Sequence, residues 1–236
     1  MAVTPITKEA QAMSDFQENI VPSKNQNSYD YYEFDKGDGI RVLYVGNSIT
    51  KHAPSPKLEW FNDCGMAASS VEKDYVHLVQ AKIREIHPNA AFSILQVANY
   101  EREFYTRTPE DYYRAAKEFQ PDLIIMFFGA NVCKEYYTTE NPPKTFGKAY
   151  EDLRNFLVDG RNAFVMHSQG FFIHPSLDAE KEAVAKKYGD AFVNLEEMRK
   201  LPETHGRFNH PSDLGMQIIA DNFWAATKNY VENFKK

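Results

Sequence analysis

Short apolar runs alternate with helical patterns along the chain from about residue 40 onward. The runs are rich in β-branched or aromatic residues, which is typical of buried strands. They predict strands near residues 41–45, 91–98, 122–128, 162–167 and 191–195. Helical spacing predicts helices that begin near residues 69 and 108, helices over 146–157 and 177–187, and a closing helix over 212–234. This alternation predicts an α/β fold, a three-layer α/β/α sandwich around a five-stranded parallel sheet.

Residues 1–36 follow a different pattern from the rest of the chain. A short amphipathic stretch over 8–20 is followed by a polar stretch over 22–28 and an aromatic patch over 29–34. We interpret residues 1–36 as an N-terminal extension and residues 37–236 as one domain. The extension is expected to pack on the domain or on a second subunit, which would make the protein a homo-oligomer. A loosely ordered tail is the alternative interpretation.

Composition narrows the class of protein. The chain has 236 residues, 43% of them hydrophobic, and a formal net charge of -6, which argues against a nucleic-acid binder. Neither a signal peptide nor a membrane-spanning run is recognisable, so we expect a cytoplasmic protein that does not bind membranes. The two cysteines, Cys64 and Cys133, are then expected to be free thiols. The histidines show no metal-binding spacing, so no metal and no other cofactor is expected.

Two polar segments follow predicted strands, and a third precedes the closing helix. They are Gly46-Asn47-Ser48, Gly129-Ala130-Asn131 and His210-Pro211-Ser212-Asp213. In open parallel sheets, ligands bind at the carboxyl ends of the strands. A serine there needs a base such as histidine to become a nucleophile, and an asparagine amide can donate to an oxyanion. Ser48, Asn131 and His210 therefore indicate a hydrolase.

These three segments resemble, in order, the conserved blocks of the SGNH or GDSL hydrolases. The resemblance covers roughly residues 40 to 230 and implies a flavodoxin-like SGNH hydrolase fold. It implies that Ser48 is the nucleophile, that His210 is the general base, and that Asn131 donates its amide to the oxyanion. Val132 stands where this family usually has an aspartate.

Two further departures from the family pattern concern the oxyanion and the triad acid. The glycine of the second block, whose N–H helps to hold the oxyanion, is missing after the second strand. The N–H of Asn99 or Tyr100 could replace it, and Gly65 is another candidate. Glu101 and Arg102 are expected either at the rim of the pocket or in a solvated loop.

The second of these departures is Arg207, which occupies the position of the triad aspartate, three residues before His210. A guanidinium has no acceptor and cannot orient the imidazole. Glu203 and Asp213 are the carboxylates that lie near His210 in the sequence. Our hypothesis is instead a Ser48–His210 dyad that is oriented by a backbone carbonyl from residues 204–209.

Together these features predict a serine esterase that works through an acyl-enzyme on Ser48. We expect a short acyl group, most simply acetyl, on a carbohydrate, because no long apolar stretch is available for an acyl tunnel. The family also contains lysophospholipases and thioesterases, which are the alternative activities. The departures from the pattern leave open a binding protein that has this fold and has lost turnover.

Overall fold

Five parallel strands form the centre of the molecule, as the apolar runs predict. The computed structural model describes residues 30–133, 136 and 144–236. The strands of this part are β1 Tyr31–Asp35, β2 Arg41–Gly46, β3 Ala91–Gln96, β4 Leu123–Phe127, β5 Phe164–Ser168 and β6 Ala191–Val193. They form one sheet in the order β1-β3-β2-β4-β5-β6. All neighbouring strands are parallel except β1, which pairs with β3 in the antiparallel sense.

The sixth strand corrects the expected count of five. Tyr31–Asp35 lies within the proposed N-terminal extension, so the expected boundary after residue 36 falls directly behind a strand of the same sheet. The strand is only half-buried because it covers an edge, and a half-buried edge strand lacks the continuous apolar run of a central one. Residues 1–29 lie outside the described part of the chain.

Helices cover both faces of the sheet. The helices are α1 Tyr75–Ile86, α2 Ala98–Glu103, α3 Pro109–Tyr112, α4 Arg114–Glu118, α5 Phe146–Val158, α6 Pro175–Tyr188 and α7 Asp213–Asn233. Helices α1 and α7 pack on the face that contains Val42 and Tyr44. Helices α2 to α6 contribute residues to the opposite core, which contains Leu43 and Val45. The expected three-layer α/β/α sandwich is therefore confirmed.

Helix α1 begins later than its sequence pattern predicts. A helix was expected from about residue 69, but residues 71–73 form only a short 3-10 turn. The Asp74 side chain accepts a hydrogen bond from the His77 N–H at 2.8 Å, and Asp74 is therefore the N-cap of α1. Among the described residues, none of the helices combines the length and the apolar character that crossing a bilayer requires.

Close packing at Gly215 holds helix α7 against the loop that precedes it. A Cβ atom at this position would lie 2.3 Å from the Thr204 carbonyl oxygen. The Ser212 N–H donates to the same carbonyl at 2.8 Å, and the Ser212 hydroxyl caps the N–H of Gly215. The loop of residues 204–212 and the start of α7 are therefore one packed unit.

We predict that Gly215→Ala destabilises the protein, because its Cβ atom must push a backbone carbonyl away. Overpacking of this kind costs about 1–3 kcal/mol, which for a chain of this length lowers the melting temperature by roughly 2–12 °C. The neighbouring Leu214 is 46% exposed, so Leu214→Ala is the matched control and should change little. Thermal unfolding of the two variants tests the prediction, and equal melting temperatures would contradict it.

Candidate active site

Ser48 and His210 meet at the carboxyl end of β2. Ser48 follows β2 by two residues, and its carbonyl accepts a hydrogen bond from the Met66 N–H at 2.8 Å. Its Oγ lies 2.8 Å from Nε2 of His210, although 162 positions separate the two residues. The turn after β2 requires Gly46, because a Cβ atom there would lie 1.7 Å from Oγ1 of Thr50. The role of Gly46 is therefore steric.

A backbone carbonyl orients the His210 ring. Nδ1 of His210 lies 2.9 Å from the carbonyl oxygen of Phe208, so Nδ1–H donates and Nε2 presents its lone pair to Ser48. Phe208 and Asn209 have φ values of 58° and 56°, in the left-handed region that few such residues adopt. This unusual turn bends the Phe208 carbonyl back onto the imidazole.

Neither expected carboxylate contacts His210 in the described part of the chain. Asp213 instead accepts hydrogen bonds from the N–H and hydroxyl of Ser69 and pairs with Lys73 at 2.9 Å. Glu203 contributes its backbone carbonyl to the Ser212 hydroxyl. Both carboxylates therefore lack the contact that a triad acid makes.

Arg207 connects the turn at Phe208 to the loop of residues 58–59 through hydrogen bonds. Its guanidinium donates to the carbonyls of Glu59 at 2.7 Å and Leu58 at 3.1 Å, and lies 4.6 Å from the centre of the Phe208 ring. The residue at the position of the triad acid therefore points away from His210. It holds the loop that positions the Phe208 carbonyl.

Asn131 and its neighbours are bound to a buried carboxylate. Glu101 is fully buried and accepts hydrogen bonds from the side-chain amides of Asn47 and Asn131 and from the N–H of Gly129. The expectation of a rim or a solvated loop for Glu101 is therefore wrong: it lies beneath the site. Gly129 has a φ of 130°, which favours glycine. Val132 is buried in the core on this side of the sheet.

The structure distinguishes between the three N–H groups that could replace that of the missing oxyanion glycine. The N–H of Gly65 donates to Asp74 at 2.9 Å, which removes Gly65 from the candidates. Asn99 and Tyr100 lie in the first turn of α2, where N–H groups have no intrahelical carbonyl to bind. Asn99 also lines the cavity at Ser48, whereas the Tyr100 ring is buried and its hydroxyl donates to the Ala149 carbonyl. Of these candidates, Asn99 is the one that lines the cavity at Ser48.

Ser48, Asn131 and His210 open into one cavity of about 550 Å³. Its polar lining includes Tyr32, Lys51, His52, Ser55, Asn99 and Arg102, and its apolar lining includes Leu58, Met66 and Phe208. Most of these residues were not predicted from the sequence to lie at the site. Tyr32 was assigned to the extension, and no motif marks His52. Trp60 is buried in the core, and its indole N–H donates to the His52 carbonyl. Cys64 and Cys133 are free thiols, as expected.

Burial is the largest influence on the pKa of the two histidines in the site, His210 and His52. It lowers the pKa of His210, the hydrogen bond to the Phe208 carbonyl raises it, and the nearby His52 lowers it again, so the pKa lies below 6.5. The pKa of His52 is lowered too, chiefly by burial. His210 is therefore neutral at pH 7 and can accept a proton at Nε2.

Solved structures with a similar fold are known. The chain matches no protein-family model and no curated protein sequence. A two-domain esterase active on acetylated mannans superposes with a TM-score of 0.56 at 18% identity, over 84% of this chain and 51% of that one. A protein named as a GDSL-like lipase, from Bacteroides ovatus, superposes with a TM-score of 0.53 at 14% identity, over 81% of this chain and 100% of that one. The chain has the SGNH hydrolase fold.

A third similar structure is that of a family two carbohydrate esterase from Clostridium thermocellum, solved in complex with cellohexaose. It gives a TM-score of 0.53 at 15% identity, over 84% of this chain and 66% of that one. The present chain thus spans about half the length of the two-domain mannan esterase and slightly less than two thirds of this second enzyme. At these identities the likeness concerns the fold.

We predict that His210 titrates below pH 6.5, because burial disfavours the charged ring. The measurement is an NMR titration of the histidine ring protons, with a synthetic peptide of residues 204–213 as the unfolded reference. His52→Gln should raise the pKa of His210, since it removes the positive charge that His52 acquires on protonation. A value at or above that of the peptide would contradict the prediction.

Proposed function

We propose that this protein is an SGNH-type serine esterase that removes acetyl groups from a carbohydrate. The observation that carries the proposal is the 2.8 Å contact between Ser48 Oγ and His210 Nε2, in a cavity that Asn131 also lines. A nucleophile, a base and an amide donor are the groups that ester hydrolysis through an acyl-enzyme needs. The proposal rests on their proximity.

In the first half of the reaction, Ser48 Oγ attacks the ester carbonyl carbon while His210 Nε2 takes the hydroxyl proton. The tetrahedral oxyanion accepts hydrogen bonds from the Asn131 amide and from the N–H groups of Ser48 and Asn99. The C–O bond to the sugar then breaks, and His210 returns the proton to the sugar oxygen. Water repeats the sequence on the acyl-enzyme, so that acetic acid leaves and Ser48 regains its proton.

The Phe208 carbonyl replaces a triad acid in this scheme. It keeps the neutral ring in the tautomer with hydrogen on Nδ1, which leaves Nε2 free to accept the serine proton. When the ring becomes charged, the carbonyl dipole stabilises it less than a carboxylate would. Burial lowers the pKa of His210, which favours the neutral ring that can act as a base.

The cavity lining supports a small polar substrate. Hydroxyl, amide, imidazole and charged side chains make up much of the lining, and such groups can hydrogen-bond a polar substrate such as a sugar. Two of the similar structures are carbohydrate esterases, one active on acetylated mannans and one bound to cellohexaose. Both features favour an acetylated sugar over a lipid.

We predict that a serine-directed fluorophosphonate labels Ser48. Labelling requires a nucleophilic serine with a base beside it, which the Ser48–His210 contact supplies. Intact-mass and peptide mass spectrometry should find one adduct, and Ser48→Ala should abolish both labelling and ester hydrolysis. Ser55→Ala is the matched control, since Ser55 lines the same cavity without a contact to His210 among the described residues. A label elsewhere, or an active Ser48→Ala variant, would sink the assignment.

The substrate prediction is that turnover decreases with acyl length. Acetylated oligosaccharides and p-nitrophenyl acetate should be hydrolysed at least tenfold faster, by kcat/KM, than the octanoyl ester, because a long acyl chain would have to lie against the polar and charged side chains of the lining. Faster turnover of the octanoyl ester or of a lysophospholipid would favour the lipase-like alternative. Tight binding of acetylated oligosaccharides without hydrolysis or labelling would favour a binding protein.

A further inference from the structure

One buried carboxylate connects the loops after three adjacent strands. Glu101 lies on α2, which follows β3, while Asn47 follows β2, and Gly129 and Asn131 follow β4. Strands β3, β2 and β4 are neighbours in the sheet. Oε1 of Glu101 accepts from Asn47 at 3.0 Å and from the Gly129 N–H, and Oε2 accepts from the Asn131 amide. Glu101 therefore joins the serine loop to the asparagine loop.

The orientation of the Asn131 amide is set by its two neighbours, Glu101 and Arg102. Nδ2 of Asn131 faces the Glu101 carboxylate, and Oδ1 faces the Arg102 guanidinium at 2.9 Å. An ionised carboxylate only accepts hydrogen bonds and a guanidinium only donates them, so the reverse orientation would lose both bonds. One N–H of Nδ2 is used by Glu101, and the second remains for the cavity.

The hydrogen-bond geometry around Glu101 suits a carboxylate, because its partners Asn47, Asn131 and Gly129 all present N–H donors. Burial raises the pKa of Glu101 above its ordinary value, and these donors together with the Arg102 charge offset part of that rise. Lys181, which is also buried, supplies a positive charge near Glu101 and lies 3.4 Å from the Phe128 carbonyl, one residue before Gly129. A buried carboxylate with several N–H partners and a nearby cation can remain ionised.

We propose that Glu101 is a positioning residue for the oxyanion site: it holds the Asn131 amide so that one N–H points to the developing negative charge. The proposal rests on the proposed esterase function. Glu101 is 0% exposed and is absent from the cavity lining, so it acts through Asn131 rather than on the substrate. Arg102, the next residue of α2, holds the other end of the same amide.

Glu101→Gln isolates this role, because glutamine has the same shape and keeps one acceptor oxygen. That oxygen can still accept from Asn47 and Gly129, which share Oε1 in the wild type. The new amide nitrogen then faces Nδ2 of Asn131. Because both groups are donors, they cannot hydrogen-bond, and the Asn131 side chain must leave this orientation. Loss of one oxyanion donor lowers kcat by about 100- to 1,000-fold, so we expect a loss of that size with KM within about threefold.

A double-mutant cycle separates positioning from general damage. Asn131→Ala should lower kcat by a similar factor, and adding Glu101→Gln to it should cost less than about threefold more. Glu103→Gln is the matched control on α2, because Glu103 is exposed and its carboxylate pairs with Arg107 within the described part of the chain. It should leave kcat unchanged within about twofold. Losses that multiply in the double variant, or a fully active Glu101→Gln, would overturn the proposal.

The Asn131 amide protons supply a measurement that needs no turnover. In the wild type, NMR should show one Nδ2 proton shifted downfield and protected from exchange, assigned by its absence in Asn131→Asp. In Glu101→Gln that proton should lose both properties. If the variant does not fold, the wild-type spectrum alone decides, since an unshifted and unprotected proton rejects the contact. An inactive wild type with a protected proton would reject the esterase function, and with it the oxyanion role, while the contact by which Glu101 holds the Asn131 amide would stand.

Discussion

The candidate site depends on one hydrogen bond, from His210 Nδ1 to the Phe208 carbonyl. Without it, the imidazole could rotate or change its tautomer, and Ser48 would lose its base. The bond exists because Phe208 and Asn209 adopt left-handed backbone conformations, which cost of the order of 1–3 kcal/mol each. Arg207 helps to hold the strained turn through its bonds to the carbonyls of residues 58 and 59.

The two helical layers contribute different parts of the site. His210 comes from the loop that packs on the start of α7, on one face of the sheet. Asn131 and Glu101 belong to the opposite layer, and Ser48 lies between them at the end of the central strand β2. The contact between Ser48 and His210 therefore joins the two layers across the carboxyl edge of the sheet. Its geometry depends on how both layers pack on the sheet.

Much of the fold could be predicted because the five parallel strands are continuous apolar runs, and such runs mark buried strands whatever lies beside them. Ser48, Asn131 and His210 could be found because they follow or precede such elements. The edge strand Tyr31–Asp35 could not, because its pairing with β3 is a long-range contact without a continuous apolar run.

The same limit applies to single groups in the site. The N–H of Gly65 was a reasonable oxyanion donor until the structure placed the Asp74 carboxylate on it. From the sequence alone, Glu101 would be assigned to the surface, because a buried carboxylate is stable only where several N–H donors surround it. In the structure these donors come from three positions that are distant from Glu101 in the sequence.

The direction of the Arg207 side chain has a consequence for any redesign of this site. An aspartate at position 207 would begin from a backbone that directs its side chain towards residues 58 and 59. The substitution would remove the hydrogen bonds that hold the turn, while His210 would still face the Phe208 carbonyl. An acid at position 207 would therefore reach His210 only after the backbone of the turn had changed as well.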